Sequence, residues 1–365
     1  MDHTAILIRE SRAAAVVFSG IYKLLPGEQG TGIIWLTVTW IGLTGILRLS
    51  EEAGMTRYKV IANPNAGHGK GAQAIPTIEA ELTRLGLDFD LVRTERVGHA
   101  TQLASQAAVD GYDVLVAAGG DGTVNEVLNG LMEARSKGLN RPALGVICAG
   151  RGNDFAPAAG IPEDIPGGCQ VLKDDHRRTI DIGYVAGGNV PQGRFFANTV
   201  GIGFDAIVTI QAARLPRMGG FLSFLVAILR TIFLYYKGPT VKIDYDGRTL
   251  TTPTLLVSIM NGRRLGGGFW MAPDARIDDG LFEVVIGRQV SQLRILSLIP
   301  HFMKGTHNTQ PEVSTLRAAR LVVSAVDGGL PAQSDGEIIS VDGTRLEIEL
   351  LPRQLEVVCP QEVSA

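Results

Sequence analysis

The stretch Asp113–Glu126, DVLVAAGGDGTVNE, constrains this chain more than any other. Val114, Leu115 and Val116 are an apolar, mostly β-branched run of the kind that makes a buried strand. Gly119-Gly120-Asp121-Gly122-Thr123 breaks that run, and Val124, Val127, Leu128 and Leu131 resume it with helical spacing. Strand, glycine turn and helix in that order make a phosphate cradle. Glycines let the backbone approach an anion closely, and the helix N-terminus offers free N–H groups and a positive dipole end. Asp121 stands inside the turn, where a pure anion cradle would want no carboxylate. A carboxylate beside phosphates calls for a metal ion or a proton-transfer partner, so the turn points to phosphoryl transfer rather than passive nucleotide binding.

The flanking sequence repeats the pattern. A short strand over Tyr58–Ala62 runs into Asn63-Pro64-Asn65-Ala66-Gly67-His68-Gly69-Lys70-Gly71, either a second wall for a nucleotide or a generic strand-to-helix turn. It is not a Walker loop, because Gly71 follows Lys70 where GxxxxGK[ST] needs Ser or Thr. A helix over about Ala74–Leu85, a strand over Phe89–Thr94 and a helix over Ala100–Val109 lead into the central strand. Beyond the turn the helix runs to about Ala134. The next strand, Ala143–Cys148, ends in a third glycine turn, Ala149-Gly150-Arg151-Gly152-Asn153-Asp154-Phe155. Alternating strands and helices predict a parallel α/β sheet with ligands at the carboxyl ends of its strands. Three glycine turns there predict a nucleotide site.

At 365 residues the chain can hold two domains with cores of their own. The texture changes near Thr179–Gly183. Phe195–Val200, Val241–Tyr245, Leu255–Met260, Leu281–Ile286 and Leu321–Ser324 then read as strands, with a hairpin turn at Tyr245-Asp246-Gly247-Arg248. Two apolar helical stretches interrupt them, Phe221–Tyr236 and Leu293–Met303, and each suits either a core or a lipid site. The expected organisation is an N-terminal extension over 1–56, a parallel α/β domain over 57–183 and a β domain over 184–360 whose last strands are free to return to the first.

Within the extension, Gln29–Leu47 carries no charged residue. It is at the low end of the roughly 20 residues a spanning helix needs, is diluted by glycine and threonine, and lacks the cationic start of a signal peptide. A membrane anchor, an interfacial helix and an upstream extension of the reading frame stay open. A net charge of −3 gives no sign of a nucleic-acid partner. Cys148, Cys169 and Cys359 are scattered with no CxxC, which suits reduced thiols in the cytoplasm and argues against a disulfide frame or a zinc site.

Two acidic sets lie in the β half. In Ala275-Arg276-Ile277-Asp278-Asp279-Gly280-Leu281, adjacent carboxylates before a glycine suit either a hard cation helped by backbone carbonyls or a plain Asp-Gly turn. In Ser334-Asp335-Gly336-Glu337, two carboxylates two residues apart point to one side if the segment is extended, and one could take the proton of an attacking hydroxyl. A surface turn is the bland alternative there.

GGDGTVNEVLNGL (Gly119–Leu131), NPNAG (Asn63–Gly67), GNDFA (Gly152–Ala156), DDGLFEV (Asp278–Val284) and SDGE (Ser334–Glu337), in that set and over roughly 57–360, resemble the diacylglycerol kinase catalytic family. The chain is similar in particular to the bacterial soluble diacylglycerol/lipid kinases, which are related to sphingosine kinases. The resemblance implies an N-terminal α/β domain akin to phosphofructokinase and NAD kinase, a C-terminal β-sandwich, and an active site between them. It implies ATP contacts from Asn63, Pro64, Asn65, Ala66 and Gly67, from Thr94, from Gly119, Gly120, Asp121, Gly122, Thr123, Val124 and Asn125, and from the turn that holds Arg151. It further implies Mg²⁺ near Asp279 with the carbonyls of Arg276 and Leu281, a proton acceptor in Glu337 or Asp335, and Asp121 serving a catalytic metal and the phosphates. Two departures stand out: Arg151 replaces the family's usual Thr before GND, and Ala66 replaces a small hydroxyl residue. An Arg can still bind phosphate bidentately.

The expected activity is ATP- and Mg²⁺-dependent phosphorylation of a lipid hydroxyl, most simply diacylglycerol to phosphatidic acid. The alternatives are an NAD kinase-like enzyme and a catalytically decayed nucleotide-dependent lipid-binding protein. The expected partners are a lipid substrate and, by peripheral contact, a membrane, with no nucleic acid; a homodimer is left open.

Overall fold

The computed structural model describes residues 55–139, 141–214, 220–234 and 237–361, together with residues 10, 11, 14 and 15. Two units divide the chain, 1–54 and 55–365. In the first, Glu10–Ser11 pairs antiparallel with Ala14–Ala15. The apolar stretch 29–47, and with it the question of an anchor, lies outside the described residues.

The second unit begins with strand β1 (Arg57–Ala62), helix α1 (Ala66–Arg84), β2 (Asp88–Arg93), α2 (His99–Val109), β3 (Val114–Gly119), α3 (Asp121–Ser136) and β4 (Ala143–Cys148). The single turn α4 (Phe155–Ala158) and helix α5 (Ile165–Asp174) follow. The four strands are parallel, in the order β2-β1-β3-β4. Helices cover both faces. Ile75, Ile78 and Leu82 of α1 pack with Leu172 of α5 on one side, and Ala104 of α2 packs with Leu128 and Leu131 of α3 on the other. β3 and β4 are buried along their whole length, which is why their sequences are continuous apolar runs without polar alternation. β2 lies on one side of β1 and β3 on the other, so the loops leaving β1 and β3 diverge and open a crevice at the carboxyl edge of the sheet.

The remaining strands are β5 (Arg177–Gly187), β6 (Val190–Phe196), β7 (Thr199–Gly203), β8 (Thr240–Tyr245), β9 (Arg248–Met260), β10 (Phe282–Arg288), β11 (Val313–Ala318), β12 (Arg320–Ala325), β13 (Ala332–Ser334), β14 (Glu337–Ser340) and β15 (Arg345–Val358). All but one of their pairings are antiparallel, around a core that includes Ile202, Val257, Val284, Val323 and Ile348, with Phe196 stacked on Phe282 at 5.5 Å. The exception joins the halves: β15 pairs antiparallel with β5 along most of its length, yet Val357 meets Leu144 of β4 in parallel register. Helices α6 (Phe204–Ala213), α7 (Gly220–Leu234) and α8 (Gln292–Lys304) carry a separate apolar cluster.

Some elements differ from their sequence patterns. The strand expected over Phe195–Val200 breaks between Phe196 and Thr199, because the N–H groups of Ala197, Asn198 and Thr199 turn to the Asp335 carboxylate. Gly67, His68 and Gly69 are all left-handed and kink the start of α1, so the continuous helix, expected from Ala74, begins just after them. Gly183 and Tyr184, either side of the expected domain boundary, both lie inside β5.

Candidate active site

The three glycine turns meet at the carboxyl edge of the parallel sheet. Asn63 Nδ2 donates to Thr123 Oγ1 (3.1 Å), Asn65 N donates to Asn63 Oδ1 (2.9 Å), and Ala149 N donates to Gly119 O (2.8 Å). Glycine is required where the turns touch. A Cβ on Gly120 would lie 3.1 Å from Gly150 Cα, and one on Gly150 only 2.3 Å from Gly120 Cα. Gly67 combines a left-handed φ of 57° with a virtual Cβ 3.1 Å from Ala149 O. No side chain caps the N-terminus of α3, whose first residue is Asp121, so the dipole end stays available to an anion. Thr94 is buried at the end of β2, its N–H bonded to Ala62 O (2.8 Å), while Arg151 is exposed at the rim.

Of the residues expected to contact ATP, three turn inward. Val124 is core. The Thr123 hydroxyl fills the space under Gly119 and accepts from Asn63. Asn125 is fully buried and committed to the β half: its Nδ2 donates to Asp335 Oδ2 (2.9 Å) and Phe195 O (3.0 Å), and its Oδ1 accepts from Arg194 Nε (3.0 Å). Glu126, next along, accepts from Gly98 N (2.9 Å) and Ala100 N (3.0 Å) and so caps α2.

Asp121 has a carboxylate neighbour that its own turn does not announce. A Cβ placed on Gly152 would lie 3.0 Å from Asp121 Oδ2 and 3.2 Å from Asp154 Oδ2, so two carboxylates flank one point. Asp121 Oδ1 accepts from Phe155 N (3.1 Å), and Asp154 Oδ1 accepts from Gly267 N (2.9 Å), which draws a loop of the β half over the turn. Burial pushes the Asp121 carboxyl above the usual carboxylate range, and the Asp154 charge pushes it further. Burial likewise raises Asp154, opposed by the Gly267 hydrogen bond. Two proximate acids, each made reluctant to ionise, fit a divalent cation.

Asp335 and Glu337 do not share one extended segment, since only Glu337 lies in a strand. Asp335 (φ 45°) and Gly336 (φ 86°) are left-handed and close the tight β13–β14 hairpin. Asp335 turns inward, where Oδ1 accepts from Asn198 N (3.1 Å) and Thr199 N (2.8 Å), and Oδ2 from Ala197 N (2.8 Å) and Asn125. Burial raises its carboxyl and these donors pull it back. Glu337 is part-exposed and pairs with Arg194 at 2.8 Å. Burial lifts its carboxyl and Arg194 opposes the lift. Arg194 therefore links Glu337 to Asn125 on α3.

The DDG turn is held by Asp181, buried on β5. Its Oδ2 accepts from Gly280 N (2.7 Å) and its Oδ1 from Arg353 N (2.7 Å). Asp279 accepts from Leu281 N (3.2 Å) and is met by the Arg317 guanidinium, while Arg276 pairs with Asp278. Among the described residues no three His, Cys, Asp or Glu side chains cluster as a metal site.

This architecture has known counterparts. Residues 57–185 match the family described as the diacylglycerol kinase catalytic domain, and residues 198–359 match the YegS C-terminal NAD kinase beta sandwich-like domain. Diacylglycerol kinases of Staphylococcus aureus strains RF122 and MRSA252 are each 30% identical over 310 residues, spanning 84% of this chain and 93% of theirs. The chain belongs to the diacylglycerol kinase family. The crystal structure of a diacylglycerol kinase from Bacillus anthracis shares the fold at a TM-score of 0.64 and 23% identity, over 85% of this chain and 98% of that one. An α/β domain continued by a β-sandwich-like domain is thus the family's architecture, as the sequence motifs imply, and the enzyme is a lipid kinase. Asp154 was within reach of sequence reasoning, since it stands in the quoted GND motif. Asp181 and Arg194 carried no local signal.

Proposed function

We propose that the kinase transfers the γ-phosphate of ATP, with Mg²⁺, to the free hydroxyl of diacylglycerol, giving phosphatidic acid. The observation that carries this reading is the Glu337–Arg194–Asn125 link, which ties an ionisable carboxylate of the β half to the helix that begins at Asp121. The glycine turns Asn63–Gly67 and Gly119–Thr123, with the open N-terminus of α3, provide the triphosphate cradle, and Arg151 at the rim adds a bidentate donor. Asp121 and Asp154 would hold Mg²⁺, which neutralises phosphate charge when bound. A structural cation at Asp279, with the carbonyls of Arg276 and Leu281, would have to share that carboxylate with Arg317.

Glu337 is the proton acceptor in this reading, because the lone pairs of Asp335 already receive four donors. Burial gives Glu337 proton affinity, and Arg194 holds it in place. Asp335 shapes the site by fixing Ala197–Thr199. The acceptor resides in a bilayer, so the enzyme works in peripheral contact with a membrane, and its three free cysteines suit the cytoplasm. A homodimer is compatible with this scheme and not needed by it.

Purified protein incubated with [γ-³²P]ATP, Mg²⁺ and a mixed lipid extract should label phosphatidic acid. Label on no lipid would sink the proposal, and label on NAD would establish an NAD kinase-like activity instead. Glu337→Gln should lower kcat roughly 10²–10⁴-fold with little change in KM for ATP.

A further inference from the structure

Arg135 lies in the last turn of α3, about 21 Å along the helix axis from Asp121 at ~1.5 Å per residue. A cavity of about 230 Å³ opens there, between the end of α3, the segment that enters β4, and the bend of β15. Its lining combines the buried Leu131 and Leu355 with three arginines, Arg135, Arg141 and Arg353.

Each arginine comes from a different segment. Arg135 donates through Nη1 to Gln354 O and pairs with no carboxylate among the described residues. Burial lowers its pKa, and the Arg141 charge lowers it further. Arg353 is left-handed (φ 50°), at the register shift that bends β15 between Leu351 and Leu355. Its N–H is held by Asp181 Oδ1 (2.7 Å), and its exposed side chain makes no hydrogen bond or ion pair among the described residues. The carboxylates close by are already answered. Glu356 also lines the cavity, and Arg177 meets it at 3.3 Å. Glu133, just before Arg135 on α3, is taken by Lys137 at 2.6 Å.

A guanidinium that faces another cation and has no carboxylate of its own is relieved by an anion that takes its N–H fork. A phosphomonoester dianion matches both the charge and the bidentate geometry. Leu131 and Leu355 give its organic part an apolar wall, and the volume is below the roughly 300–1,000 Å³ of sites for drug-sized ligands, so the bound group is small. We propose that this cavity is a second anion site, separate from the triphosphate cradle, which binds a small phosphomonoester between Arg135 of α3 and Arg353 of β15, with Arg141 at its rim. Asp181, which holds the Arg353 N–H, also accepts from Gly280 N (2.7 Å). An anion held there therefore braces α3 against the segment that supports the DDG turn. The phosphomonoester arrives either as a free metabolite or as the headgroup of a phosphatidate in a bilayer, and both present the same dianion.

The test is calorimetric titration of the full chain with glycerol 3-phosphate while ADP and Mg²⁺ are saturating. The nucleotide keeps the cradle filled, so the remaining binding reports the second site. Arg353→Gln and Arg135→Gln should each weaken that binding roughly tenfold or more, and Arg151→Gln, at the rim of the cradle, should leave it unchanged. The Arg353 side chain holds nothing in the fold, so unliganded Arg353→Gln should melt with the wild type. Glycerol 3-phosphate should raise the melting temperature of the wild type and not that of Arg353→Gln. Sedimentation with phosphatidylcholine vesicles, with and without phosphatidic acid, identifies the source. Retention on phosphatidic acid vesicles that Arg353→Gln removes, with no heat from glycerol 3-phosphate, assigns the site to a lipid headgroup. Heat without such retention assigns it to a free metabolite. No binding in either arm, or binding that Arg353→Gln and Arg135→Gln both leave intact, would overturn the site. Binding lost in Arg151→Gln alone would place the anion in the cradle and overturn it as well.

Discussion

Asp335 and the Asp121–Asp154 pair are acids gathered at the first turns of α3, Asp121 beginning the helix and Asp335 bonded to its Asn125, and they meet opposite conditions. Asp335 receives three backbone N–H groups and the Asn125 amide, so its charge is answered by donors fixed in the fold. Asp121 and Asp154 each have fewer donors, and Asp121 also faces its neighbour's charge. Burial raises all three. What separates them is what answers the charge. A carboxylate saturated with backbone donors is part of the scaffold, whereas two carboxylates left facing each other keep capacity for a cation.

The sharpest way to break this comparison is to remove each acid in turn. Asp121→Asn should lower kcat/KM by 10³-fold or more, on the order of 4 kcal/mol of transition-state stabilisation, at an unchanged melting temperature. Retained turnover would make the pair structural like Asp335. Asp335→Ala should do the reverse first. It leaves the Asn125 amide and three N–H groups without acceptors and should destabilise the fold by on the order of 3–5 kcal/mol in denaturant titrations. A stable Asp335→Ala variant that lacks only turnover would make Asp335 the base and Glu337 its support. Gly152→Ala places a methyl against both Asp121 and Asp154, and should weaken Mg²⁺ activation roughly tenfold while leaving lipid KM alone. Equal loss of lipid KM would show that the turn touches the acceptor instead.

A smaller effect comes from Asp205, a buried acid that has neither a full donor set nor a paired acid. Its Oδ2 accepts from Ser258 Oγ (3.2 Å), Oδ1 has no partner, and burial pushes its pKa up to about 6. Because the folded value exceeds the unfolded one, this group favours the fold most below about pH 4, and that contribution is lost as pH rises through 6. Asp205→Asn should therefore raise the melting temperature relative to wild type by a few degrees at pH 8 and by less at pH 4. A difference that does not change with pH would show that Asp205 is ionised without penalty.

Much of the fold was legible because its signals are local. Val114–Gly119 and Ala143–Cys148 are buried on both faces, so their sequences are unbroken apolar runs that announce central parallel strands. β15 is as long as any strand but hides behind Pro352 and Arg353, where a register shift lets it bend from β5 toward β4. The glycines of the three turns were readable as well, since close backbone approach admits few other residues. Arg194 was not, because its role depends on Asn125 and Glu337, which arrive from distant parts of the chain.

The sequence by itself determined the strand–turn–helix cradle, the acids that could serve it, and their order along the chain, because glycine, apolar periodicity and carboxylates act over a few residues. Only the tertiary structure decided which acid does what. Asn125 and Asp335 are 210 positions apart and share a hydrogen bond, and Asp154 faces Asp121 across Gly152. Whether a carboxylate is scaffold, metal ligand or proton acceptor depends on the donors and charges around it, and those are set by packing between the halves rather than by neighbours in sequence.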